Sequence, residues 1–151
     1  MARVKLELPG TLPFSCKLRV RITDLNYAGH LGNDKVLSLI HEARAQYFVH
    51  YGYTELSAEG IGFIMSDCVI VFKSEGHFNQ ELTGEVGAGD FARASLDLYY
   101  RLRDAASGKI VAEAKTGMVA YDYERAKVVS IPLALKARLG NALHPETETN
   151  A

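Results

Sequence analysis

The stretch NDKVLSLIHEARAQYFVHY, residues 33–51, is the segment of this chain in which apolar residues recur at helical spacing. Val36, Ile40, Ala43, Tyr47 and Tyr51 lie three and four residues apart, which stacks them on one face of an α-helix, and Leu37 and Phe48 widen that face. Asn33 suits the N-cap, Asp34 sits near the positive end of the macrodipole, and Gly52 suits the position just past the last turn. One long helix over 33–51 with defined ends is therefore expected.

On either side the period changes to two. Cys16, Leu18, Val20 and Ile22 alternate with Lys17, Arg19, Arg21 and Thr23, the pattern of a half-buried strand. Val4, Leu6 and Leu8 form a further strand piece before the break at Pro9-Gly10. Residues 63–73 are apolar on both alternating faces and read as a central strand covered on each side. Residues 81–89, with two internal glycines, give another strand. Ala92, Ala94, Leu96, Leu98, Tyr100 and Leu102 alternate with polar partners, and Ser107-Gly108 supplies a turn. The alternation then resumes through Ile110, Ala112, Ala114, Thr116, Met118 and Ala120, so the two make a long antiparallel hairpin. A short strand over 127–131 and a helix over 132–139, opened by Pro132 and ended by Gly140, complete a single domain over 1–143. Residues 144–151 lack an apolar face and are expected to be a disordered tail. A lone apolar-faced helix must bury itself against the strands, so the fold class is α+β, with a five- to six-stranded antiparallel sheet around one helix.

Composition narrows the function. The chain has 151 residues, 48% apolar and 23% charged, ordinary values for one globular domain. A formal net charge of −1 argues against a nucleic-acid partner, because such binders carry a basic excess. No apolar run approaches the ~20 residues that span a bilayer, and residues 1–10 mix charged and apolar side chains. No membrane association and a cytoplasmic address are expected. Cys16 and Cys68 have neither a CxxC neighbour nor histidines at zinc spacing, so no metal, cofactor or disulfide is implied and both read as small core residues.

The stretch VRITDLNYAGHLGN, residues 20–33, continuing into His41-Glu42-Ala43-Arg44, resembles the opening of hotdog-fold thioesterases of the 4-hydroxybenzoyl-CoA thioesterase type. It is also similar to the plant acyl-carrier-protein thioesterases, whose loop runs Asp-x-Asp-x-x-x-His-x-x-Asn into the helix. Asp24, His30 and Asn33 fall on that pattern. The stretches 114–123 and 128–132 resemble the family's last long strand and its ending, and the likeness spans about residues 16–140. It implies a hotdog fold and hydrolysis of an acyl-CoA or acyl-carrier-protein thioester. It also implies a homodimer or homotetramer, since family members place their sites at subunit interfaces.

The resemblance places the chemistry where the loop enters the helix. Negative charge develops on the thioester carbonyl oxygen, and backbone N–H groups reinforced by the helix dipole stabilise it; here Asn33, with Asp34, would supply them. The same atoms serve equally in an ordinary well-capped helix. The family's loop carboxylate is Asn26 in this chain, which has no basic lone pair and forms no acyl-enzyme, although it can orient water. His30 either acts as general base or bonds to loop backbone. Glu42, nine residues beyond Asn33, matches the carboxylate of a second hotdog subfamily or is a solvated partner for Lys or Arg. Asp24 reads as a brace accepting loop N–H bonds. Asp67 interrupts an apolar strand and reads as a buried carboxylate, either satisfied by structural partners or supporting the site from behind. Lys73, Arg93 and Arg125 are candidate contacts for coenzyme A phosphates or simply solvating charges. The missing carboxylate leaves a second reading open, a protein that binds acyl thioesters without turning them over.

Overall fold

In the computed structural model, which describes residues 2–140, helix α1 (Asn33–His50) is flanked by six strands and a short second helix. In chain order the strands are β1 (Phe14–Arg19), β2 (Gly62–Phe72), β3 (Glu81–Gly89), β4 (Ser95–Asp104), β5 (Ile110–Asp122) and β6 (Lys127–Val128), and α2 spans Leu133–Gly140. All pairings are antiparallel, in the order β1-β3-β4-β5-β2, with β6 beside the end of β5.

The sheet curls around α1. Tyr47 meets Phe14 of β1 edge-on at 5.8 Å, and the next residue, Phe48, meets Phe63 of β2 at 5.6 Å. Adjacent helix residues thus touch the first and last strands of the order, which a flat sheet would not permit. Gly84 lets the helix pass close to β3, since a Cβ there would lie 2.9 Å from Leu18 Cδ1 and 3.4 Å from Ala43 Cβ. Val36, Leu39, Ile40, Ala43, Tyr47 and Phe48 are buried on the helix face, each large apolar side chain contributing about 1.5–3 kcal/mol. The expected Leu37 is 36% exposed, whereas Leu39 is buried. Arg44 also lies on the buried face, where its Nε donates to Glu55 Oε1 at 2.7 Å. Gly52 adopts a φ of +83°, as its position past the helix end requires.

Several expectations need correction. Val4, Leu6 and Leu8 form no strand. The strand over 63–73 is β2, which pairs only with β5 among the described residues and so lies at the edge of the sheet. Its apolar outer positions stay open, with Met65 43% and Phe72 50% exposed. Asp67, read as buried, is an exposed side chain at a bulge in β2, where Gly117 N–H donates to its Oδ1 and Lys115 lies 3.0 Å away. The strand over 127–131 is shortened to Lys127–Val128, although Ile131 N–H still bonds to Arg93 O. Cys16 and Cys68 sit half-buried at the margin of the core; burial pushes both thiols up, Cys16 to about 11. The tail expected over 144–151 lies outside the described residues.

The hairpin of β4 and β5 carries one fully buried polar pair, Tyr100 Oη and Thr116 Oγ1, 2.7 Å apart. Burial pushes the Tyr100 phenol up to about 12, so it remains a neutral hydrogen-bonding group. Replacing Tyr100 by Phe strands the Thr116 hydroxyl in the core and is expected to lower unfolding free energy by about 1–2 kcal/mol in a urea titration.

Candidate active site

The chain leaves β1 at Val20, whose backbone exchanges hydrogen bonds with Asn79 and Gln80, and then folds tightly before α1. Asp24 organises this turn. Its buried carboxylate accepts the backbone N–H of Arg21 at 2.8 Å and the Arg21 guanidinium at 3.1 and 3.2 Å, and its carbonyl accepts the N–H of Gly32 at 2.9 Å. Asp24 is therefore a brace that fixes where the helix begins.

Asn26 closes the inner loop. Its Oδ1 accepts the N–H groups of Ala28 at 2.9 Å and His30 at 3.3 Å, while Asn26 N–H donates to His30 O at 2.8 Å. Gly29 turns the chain with a φ of +78°, and Leu25 bridges to Leu31. The side-chain oxygen of Asn26 is thus bonded to its own loop.

The helix N-cap is Gly32; Asn33, expected in that role, is the first helical residue. A Cβ at position 32 would lie 2.7 Å from Asp34 Oδ1, a contact that the exposed Asp34 side chain relieves by turning away. Since glycine carries no capping group, no side chain bonds the first turn. Lys35 and Val36 donate to Gly32 O, whereas the N–H groups of Asn33 and Asp34 have no acceptor among the described residues. Two uncapped donors at the positive end of an 18-residue helix are suited to an anion or a developing oxyanion.

That helix end opens on a cleft of about 360 Å³. Asn26, His30 and Asn33 line it from the loop and α1, and Phe72, Lys73, Ser74 and Glu75 line it from the end of β2. Leu31, Val36 and Val111 give it an apolar floor. Three of the five expected site residues thus meet in one cleft. Asp24 lies buried behind it. Glu42 lies elsewhere, in a groove between α1 and β1, where Gln46 Nε2 donates to its Oε1 at 2.9 Å.

Glu75 and His77 were not legible in the sequence. Glu75 Oε2 lies 3.4 Å from His30 Nε2, and the His77 ring packs edge-on against His30 with centroids 5.4 Å apart. The polar run 73–77 directly after an apolar strand signals a loop, but nothing local ties it to residues 26–31. Of the candidate phosphate contacts, Lys73 is at the cleft, 3.7 Å from Glu113, whereas Arg93 bonds Ser130 and Arg125 pairs with Asp122.

Residues 20–139 match the model of the thioesterase-like superfamily. The chain belongs to this superfamily. No protein of curated function matches it by sequence. Among solved structures, it resembles a 1,4-dihydroxy-2-naphthoyl-CoA thioesterase from Synechocystis, at 18% identity and a TM-score of 0.77 over 87% of this chain and 98% of that one. A gentisyl-coenzyme A thioesterase gives 19% identity and a TM-score of 0.73 over 83% and 99%. A hypothetical protein from Aquifex aeolicus gives 18% and 0.75 over 84% and 99%. At such identities these likenesses establish the hotdog fold of the superfamily member.

Burial by itself would push the Asp24 carboxyl up, but the Arg21 guanidinium and backbone N–H outweigh it and hold the group below its ordinary value. A carboxylate with a depressed folded value stabilises the fold above its unfolded value near 3.9 and loses that contribution as pH falls through the folded value. Stability should therefore drop below about pH 4, and Asp24→Asn should flatten that acid limb while lowering stability at neutral pH. Thermal melts of both proteins from pH 2 to pH 7 check this.

Proposed function

We propose that this protein hydrolyses an acyl-coenzyme A or acyl-carrier-protein thioester in the cleft at the start of α1. The observation that carries this reading is the uncapped helix N-terminus opening beside His30. The thioester carbonyl would accept from the Asn33 and Asp34 N–H groups, which stabilise the oxyanion as water attacks. His30 takes the proton from that water, and Asn26 holds the loop that presents it. Superfamily membership and the coenzyme A thioesters named for two similar structures support the substrate class.

Asn26 favours a second reading, a protein that binds acyl thioesters without turnover, since it lacks the carboxylate of the family loop. One assay separates the two. Purified protein is incubated with acyl-CoAs from acetyl to palmitoyl and aryl, and released thiol is measured. Turnover is expected, with kcat/KM falling about 10²–10⁴-fold in His30→Ala. Saturable binding with no thiol release would favour the silent binder. Asn26→Asp keeps an oxygen that accepts both loop N–H groups and adds a carboxylate, so activity should survive or rise.

The assembly proposed is a homo-oligomer joined at the open edge of β2. An 11-residue strand with an unpaired side and exposed Ile64, Met65 and Phe72 is a template for strand pairing unless it is covered. Light scattering on a sizing column should give a dimer or tetramer, and Ile64→Lys with Met65→Lys should shift it toward monomer.

A further inference from the structure

The superfamily's loop carboxylate is absent here, yet the cleft contains a carboxylate from a different part of the chain. Glu75 follows β2, 45 residues beyond His30, and its Oε2 stands 3.4 Å from His30 Nε2. His30 is the only ionic partner of Glu75 among the described residues.

The backbone on both sides of Glu75 is held, on one side by β5 and on the other by the loop that carries His30. Ser74 N–H donates to Val111 O and its Oγ donates to Ile110 O at 2.7 Å, which anchors the near side to β5. On the far side Leu31 N–H donates to Gly76 O at 2.9 Å, and His30 bridges to His77. Gly76 is required for this approach, because a Cβ would lie 2.7 Å from Leu31 Cβ. The His77 ring, at 88° to that of His30, limits the imidazole from its other side. The pinned backbone thus places Glu75 beside His30, and its exposed carboxylate reaches the imidazole.

We propose that Glu75 is the positioning residue of His30, taking over by way of the imidazole the carboxylate function that Asn26 cannot perform. The inference rests on the thioesterase reading of the cleft. A proton on Nε2, the ring nitrogen nearest Glu75, leaves the lone pair on Nδ1, the tautomer that can receive a proton. In the reaction, water oxygen bonds to the acyl carbon while its proton passes to Nδ1. The C–S bond then breaks and the imidazolium returns that proton to the thiolate. One water is consumed, and one carboxylic acid and one thiol are released. Glu75 exchanges no proton in this cycle; it faces the transient imidazolium and holds the ring. Catalytic contacts of this kind tighten as the transition state forms, so a separation of 3.4 Å is within reach of this role.

The test uses the full chain, acyl-CoA substrates and five proteins: wild type, Glu75→Gln, Glu75→Asp, His30→Ala and the double variant Glu75→Gln with His30→Ala. Circular dichroism should be the same for all five, since Glu75 is exposed and His30 half-exposed. The expected result is that Glu75→Gln lowers kcat about 10–100-fold with KM little changed, the signature of an interaction felt in the transition state. Glu75→Asp recovers part of that loss. The double variant falls no further than His30→Ala alone, because the carboxylate acts only through the ring. Active wild type with Glu75→Gln unaffected, with only KM raised, or with losses that add to those of His30→Ala, overturns this inference and leaves the thioesterase reading standing. Wild type that releases no thiol from any acyl-CoA overturns both.

Discussion

The structure depends on one burial problem, the apolar stripe of α1, which has only the sheet to pack against. Val36, Ile40, Ala43, Tyr47 and Phe48 are almost wholly removed from water, and strands from β1 to β2 contribute to that enclosure. To cover a cylinder from several sides the sheet must curl, and both its edges end beside the helix. The position of the cleft follows. It forms where the end of β2 and the loop entering α1 converge at the helix N-terminus.

Polar groups then refine what burial has placed. Asp24 fixes the entry turn through Arg21 and Gly32, Asn26 closes the loop that carries His30, and Gly32 leaves the first helical turn without a side-chain cap. Each concerns a backbone N–H near the start of α1, and the outcome is asymmetric. The N–H groups of Asn26, Ala28, Gly29, His30 and Gly32 find acceptors within the loop, while those of Asn33 and Asp34 have none among the described residues. An N-terminus that can accept an external acceptor is a poorer helix start than a capped one, a cost of around 1 kcal/mol set against its use. Asn26 illustrates the same economy. An amide oxygen accepts two N–H bonds as well as a carboxylate oxygen does, so an amide at this position holds the loop as a carboxylate would.

Element type and order were legible because each rests on a local period. Helix α1, the β4–β5 hairpin with its turn at Ser107-Gly108, and β3 with its glycines follow from spacing alone. The convergence of Asn26, His30 and Asn33 was also legible, since seven residues of loop leave them little room to separate. The role of β2 was not. Apolar residues on both faces say that a strand is covered twice, not whether its own chain supplies the cover, and here the outer positions remain open. Asp67 was misread for the same reason, as an interruption of a core strand when it is an exposed carboxylate at a bulge.

By itself the sequence determined an α+β fold with one long helix, its start near residue 33, and a loop bearing Asp24, Asn26 and His30 just before it. Periodicity and turn chemistry act within a few residues, so they need no knowledge of the remainder of the chain. Only the tertiary structure decided that β2 lies at an edge, that Glu42 faces a different groove, and that Glu75 and His77 stand against His30. Those neighbours are set by strand order and by the close approach at Gly76, which depend on contacts between segments 45 residues apart that leave no period in either one.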